Sequence, residues 1–137
     1  MFSLDTNITS ELRVGKPNPS QAVVSCSKTQ PTNGLFLSAV TVFELEKGVL
    51  LLKHRTPSQG QNLRGWLEGV KLKFGDRILP YAGKTSTLCA SLNAPDPQPE
   101  RDAMIAATAI EHKFTVVTRN AADFAHTGVA LVNPWLA

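Results

Sequence analysis

Short apolar runs alternate along this chain with longer stretches that carry apolar residues at intervals of three and four, and this alternation restricts the fold more than any other feature. Phe2–Leu4, Leu35–Leu37, Arg77–Leu79, Phe114–Val117 and Val129–Val132 are too short for helices and too apolar for one-sided strands, so they read as strands buried on both faces. The intervening stretches read as helices. One begins just after Asp5 with Thr6 or Asn7 as cap and carries Ile8 and Leu12, and another covers Pro19 to Ser27. A third starts at Ala39 or Thr41 and reaches Lys53, with Val42, Leu45, Val49 and Leu52 on one face. The next opens with Thr56-Pro57 as cap and first residue and sets Leu63, Trp66, Leu67 and Val70 in an amphipathic stripe. Thr85–Leu92 follows, and then a helix from about Glu100 whose buried face holds Met104, Ile105, Thr108 and Ala109. Strands separated by helices pair in parallel, because a parallel connection needs a crossover of a dozen or more residues. The fold class is therefore α/β: a three-layer, Rossmann-like α/β/α domain around a parallel sheet of about five strands.

At 137 residues the chain is one domain long, residues 1–137, and can bury a core without staples. A charged share of 18% and an apolar share of 42% are those of an ordinary globular protein. The net charge of +3 permits an anionic partner without demanding one; Lys53-His54-Arg55 is the one short basic cluster. Arg64, Lys71 and Lys73 read as solvated helix surface. Cys26 and Cys89 fall in different predicted helices with no metal-ligand spacing, as expected of reduced thiols in the cytoplasm. No apolar run approaches the roughly 20 residues of a membrane span, and Asp5 interrupts any leader-like stretch. The proline-rich segment Asn93–Pro99 can only be a loop.

In an open parallel sheet, ligands bind beyond the carboxyl ends of the strands. Asp5 and Asp123 lie just past the first and fourth predicted strands, and Glu44 shortly past the second. Asp102 lies in the first turn of the helix leading into the fourth. Three of these acids share one edge by topology, and the fourth sits on a helix that can be aimed at it. Carboxylates crowded together oppose one another's ionisation, and a divalent cation removes that repulsion. Oxygen ligands suit Mg2+, or Mn2+; zinc would require histidine or cysteine ligands, and His54, His112 and His126 form no cluster. Each acid also has a plainer explanation: Asp5 as a helix cap, Glu44 as the partner of Thr41 in a capping box, Asp102 as a first-turn acid, Asp123 as a turn former.

The motifs run in order along nearly the whole chain: Leu4-Asp5-Thr6-Asn7 with Ile8 to Leu12, Phe36 to Leu45 with Gly48, Asp102 to Ala109, Thr118-Arg119-Asn120-Ala121-Ala122-Asp123-Phe124, and Asn133-Pro134-Trp135. Together they resemble the PIN-domain toxins of the VapC and FitB type. The resemblance implies a Mg2+-dependent endoribonuclease, the toxin of a bacterial toxin–antitoxin system, with Asp5, Glu44, Asp102 and Asp123 as catalytic and metal-holding acids. It further implies Thr6, Asn7, Thr118 and Asn120 as polar support. Arg119, beside the acids in the chain, reads either as a contact for substrate phosphate or as a member of an ordinary surface ion pair. Its implied partners are RNA as substrate, a cognate VapB-like antitoxin that blocks the acid pocket, and a second copy in a homodimer or a toxin–antitoxin hetero-oligomer. Operator DNA would be reached only through the antitoxin.

One segment departs from the family pattern. Between Pro80 and Asp102 the chain reads as shortened, with the proline loop replacing much of a helix, which makes Asp96 and Glu100 substitutes for Asp102. A degenerate PIN domain that binds antitoxin or RNA without cutting is the alternative. A haloacid-dehalogenase-type phosphatase would need a second aspartate at position 7, where Asn stands.

Overall fold

The computed structural model describes residues 1–13 and 15–136. Its five strands are β1 (Phe2–Leu4), β2 (Leu35–Ser38), β3 (Ile78–Leu79), β4 (Thr115–Val117) and β5 (Leu131–Val132), all parallel in the order β3-β2-β1-β4-β5. The first strand to be made is thus the central one. The chain builds outward through β2 to β3, then crosses back to place β4 on the other side of β1. This reversal opens a crevice at the carboxyl ends of β1, β2 and β4.

Seven helices cover the sheet: α1 (Thr6–Glu11), α2 (Gln21–Lys28), α3 (Ala39–Arg55), α4 (Pro57–Phe74), α5 (Gly83–Leu92), α6 (Glu100–His112) and the single turn α7 (Ala121–Phe124). Strand alternation divides the core between the two faces. Val117 packs with Leu4, Ile8, Val23 and Leu37 on one side, reinforced by Phe74 and Trp135. Val116 packs on the other with Val40, Ile105, Ala106, Ala109, Phe124 and Val129. A third cluster, Leu45, Val49 and Leu67, joins α3 to α4. Burial of this kind contributes roughly 25 cal/mol per Å2 of apolar surface, which is why such short strands hold.

Several sequence expectations are refined. Asp5 itself caps α1, accepting from the Thr6 N–H, so neither Thr6 nor Asn7 is the cap. Ser38 caps α3 by accepting from Val40 N at 3.0 Å, which starts that helix at Ala39 and carries Glu44 beyond the first turn. The capping-box explanation of Glu44 therefore fails. Thr56 stands at the start of α4, but its hydroxyl makes no capping bond. The helix expected over Thr85–Leu92 is present as α5, beginning at Gly83, and Cys89 within it packs against Ala103 and Ala107 of α6. Covered by the sheet on one side and α5 on the other, α6 is buried over far more than one face; Ala103, Ile105, Ala106, Ala107, Thr108 and Ala109 are all inaccessible. Small side chains permit that double contact.

The surface charges behave as solvated or paired groups. Glu46 receives Arg64 at 2.7 Å and Lys71 at 2.6 Å, and Glu11 pairs with Lys16 at 3.0 Å. Among the described residues, no helix is long and apolar enough to cross a membrane. Both cysteines are free.

The turn between α3 and α4 depends on one glycine. A Cβ on Gly60 would lie 2.3 Å from Lys53 Cα, whereas one on Gly48 meets nothing within 4 Å. Gly60→Ala should therefore cost about 1–3 kcal/mol in urea unfolding, while Gly48→Ala, on an open helix face, should be neutral or stabilising by up to about 1 kcal/mol. Equal midpoints for the two variants would contradict this account.

Candidate active site

The parallel register of β1 and β4 generates the site. Leu4 pairs with Val117, and Asp5 N continues the ladder by donating to Val117 O at 2.9 Å, so the residues just beyond each strand, Asp5 and Thr118, come to lie side by side. Thr118 Oγ1 donates to Asp5 Oδ2 at 2.7 Å, and Asn7 Nδ2 donates to the same oxygen at 3.2 Å. The other oxygen, Oδ1, accepts the Thr6 N–H at 2.8 Å. Asp5 is 4% exposed and Thr118 fully buried. Burial pushes the Asp5 carboxyl up from its ordinary range, these hydrogen bonds draw it back, and the nearby charge of Asp123 pushes it further up; the net direction is upward.

Thr118 is itself fixed. Its hydroxyl accepts from the Asn120 N–H at 3.0 Å, so Asn120 serves through its backbone. Asn7 Oδ1 accepts the Arg119 N–H at 3.2 Å, binding the chain after β4 to α1. The Arg119 guanidinium lies 5.0 Å from the ring centre of Trp135. Its charge is thus stacked on an aromatic face, away from the hydrogen bonds around Asp5.

Glu44, in the second turn of α3, reaches α1: Thr6 Oγ1 donates to Glu44 Oε1 at 2.8 Å. Asp102 stands in the first turn of α6, where the helix dipole favours an anion. Its carboxyl is nevertheless pushed up to about 6, first by burial and then by the negative charges of Asp5, Asp123 and Glu44. The charges of the other three acids thus all reach Asp102. Asp123 occupies α7, a turn of helix where a loop was expected, and is exposed. With Asp102 so placed, neither Asp96 nor Glu100 is needed as its substitute.

The acids converge on a region, not a point. Among the described residues, no three His, Cys, Asp or Glu side chains stand close enough together to ligate one ion. Mutual repulsion keeps like charges apart, and Thr6 holds Glu44 to one side. The donor chemistry still fits a hard divalent cation: carboxylate oxygens alone, two of the acids with raised pKa, and no imidazole or thiolate among them.

Sequence reasoning missed Arg101. Its Nη1 lies 3.9 Å from Glu44 Oε2, and its guanidinium sits over the Phe43 ring. The signal was direct adjacency to Asp102 in the chain.

Comparison with known proteins agrees with this geometry. The model of the PIN domain family matches residues 3–130. A VapC ribonuclease, Y4jK of Sinorhizobium fredii, is 37% identical over 98% of both chains, and toxin FitB of Neisseria gonorrhoeae is 33% identical over 98% of this chain and 99% of its own. The crystal structure of FitAcB from Neisseria gonorrhoeae superposes with a TM-score of 0.90 at 33% identity, covering 100% of both chains. That of FitAB bound to an IR36 DNA fragment superposes at 0.88 and 32% identity, over 98% of this chain and 96% of that one. The chain belongs to the PIN-domain family. Within it, the chain is of the VapC and FitB type.

A raised carboxyl has a stability consequence with a definite sign. Between about pH 4 and 6 the unfolded chain has released the Asp102 proton while the folded protein keeps it, so rising pH destabilises the metal-free fold through that window. Asp102→Asn should stabilise the metal-free protein near neutral pH by about 1 kcal/mol, after discounting for solvent screening, and the gain should vanish near pH 4. Thermal melts of the two proteins across pH test this; a large loss of stability in the variant at neutral pH would instead make Asp102 a structural cap.

Proposed function

We propose that this chain is a divalent-metal-dependent endoribonuclease that acts as the toxin of a toxin–antitoxin pair. The observation that carries the reading is the placement of the acids at the carboxyl edge of a parallel sheet: Asp5 beside Thr118 past β1 and β4, Glu44 tied to α1 through Thr6, and Asp102 in the first turn of α6. Asp5, Glu44, Asp102 and Asp123 would hold the cation, Mg2+ or Mn2+, one or two of them directly and the others through its water ligands. When bound, such an ion supplies Lewis-acid stabilisation of charge developing on a phosphodiester and lowers the pKa of water.

The chain's own residues do the rest. Thr118 and Asn7 occupy one oxygen of Asp5, and the Thr6 N–H takes one lone pair of the other, which fixes the carboxylate's orientation and leaves Oδ1 able to accept one further ligand. Thr6 does the same for Glu44. No histidine is required. The reading of a PIN domain that binds without cutting rests on a defect before Asp102, and the complete α5 and the field of the other acids at Asp102 both favour cutting.

The names of the relatives support the biological role. FitB is called a toxin and Y4jK a VapC ribonuclease, and similar folds occur in toxin–antitoxin complexes bound to DNA. By this reading the partner is a small antitoxin that covers the acidic crevice, with DNA contacted through the antitoxin. Self-association into a dimer belongs to the same proposal.

Purified protein should cleave RNA with Mg2+ and stop on addition of EDTA. Asp5→Asn should abolish the cleavage, and Thr118→Val, which leaves Asp5 misoriented, should reduce it by about 10- to 100-fold. Cleavage that persists with EDTA and in Asp5→Asn would eliminate the metal mechanism. Expression in a bacterium should arrest growth, and Asp5→Asn should relieve the arrest; equal growth with either protein would remove the toxin role.

A further inference from the structure

Two of the four acids line an open groove of about 740 Å3 that extends beyond them. Glu44 and Asp102 line it, but so do Phe43, Tyr81, Met104 and Arg101. Phe43 immediately precedes Glu44 and Arg101 immediately precedes Asp102, so α3 and α6 each present an acid with a neighbour of different chemistry beside it. Those neighbours meet: the Arg101 guanidinium lies 5.1 Å from the centre of the Phe43 ring. Phe43 is 53% exposed, a large apolar surface at the edge of a polar site. Tyr81 and Met104 extend the apolar lining.

Arg101 is not committed to its carboxylate. Its approach to Glu44 is long at 3.9 Å, the side chain is 43% exposed, and the other Glu44 oxygen already accepts from Thr6. An exposed pair of that geometry contributes little to stability. A guanidinium placed there also competes with any cation for the acids, so its position is costly to a metal site unless it serves an arriving anion. Single-stranded RNA brings both features the pair can use: a flat unpaired base for the aromatic face and a phosphate for the guanidinium.

Building on the ribonuclease reading, we propose that Phe43 and Arg101 form a nucleotide subsite flanking the cut: Phe43 stacks an unpaired base, and Arg101 holds the phosphate next to the scissile one. The subsite selects single-stranded or looped RNA, because a paired base cannot turn its face to the ring. The competing use of this surface is self-association, since Phe43 lies seven residues before the exposed Leu50 and shares its side of α3. Arg101 and the acids within the same groove favour RNA.

The test separates the subsite from the nuclease reading by measuring binding without cleavage. In an Asp5→Asn background, fluorescence anisotropy with a labelled single-stranded oligoribonucleotide should show Arg101→Gln weakening binding about tenfold at low salt and reducing the salt slope by about one, with Arg101→Lys restoring part of the affinity. Phe43→Leu should weaken binding about tenfold, Phe43→Tyr should restore it, and affinity for duplex RNA of the same sequence should be indifferent to both positions. In the otherwise native protein the losses should fall on KM more than on kcat. Unchanged single-strand affinity at either position overturns the subsite, as does a Phe43→Leu effect explained wholly by a smaller species in sedimentation. If the native protein cleaves no RNA, the nuclease reading falls, and the binding comparison still decides the subsite.

Discussion

The hydrogen bond from Thr118 to Asp5 ties the site to the fold. It exists because β1 and β4 pair in parallel with Leu4 opposite Val117, and any slip of that register would carry one of the two residues to the opposite face. The bond is buried and the shortest that Asp5 accepts, so its loss would leave Oδ2 of a buried carboxylate with only the longer bond from Asn7. The same hydroxyl accepts from Asn120, and Asn7 links Asp5 to the Arg119 backbone. The chain following β4, and with it α7 and Asp123, is therefore located by contacts that begin at Asp5.

Around this anchored acid the remaining three arrive on independent supports. Glu44 is placed by α3, which Ser38 starts early enough to bring the second turn against Thr6. Asp102 is placed by α6, whose alanines let it lie between α5 and the sheet. Each support is stabilised by its own apolar contacts, and this matters because the acids repel. The raised Asp102 carboxyl records that conflict, with packing elsewhere in the domain offsetting it. Function and stability pull in opposite directions at these positions, as is common where like charges must be gathered.

Much of this was legible in the residues. Apolar runs bounded by glycine and proline placed every strand to within a few positions, and the four acids were visible as carboxylates at strand ends. What stayed hidden was whatever depends on relations between distant segments. The role of Thr56 as a cap was plausible by composition, but its hydroxyl makes no such bond. The helix over Thr85–Leu92 was legible, but no local signal reveals that it closes against Ala103 and Ala107. Nor does periodicity report a helix covered on two sides, since alanine marks no face. That the Asn120 backbone N–H donates to Thr118 is likewise a relation that composition does not report.

The place of β1 at the centre of the sheet has a consequence for biosynthesis. Its residues leave the ribosome before any other strand, yet Asp5 waits for Thr118, 113 positions later, to complete its surroundings. Pairing across such a span is slow to form and late to begin. In a nascent chain of this design the surroundings of Asp5 stay unfinished until the segment that carries Thr118 has folded back onto β1.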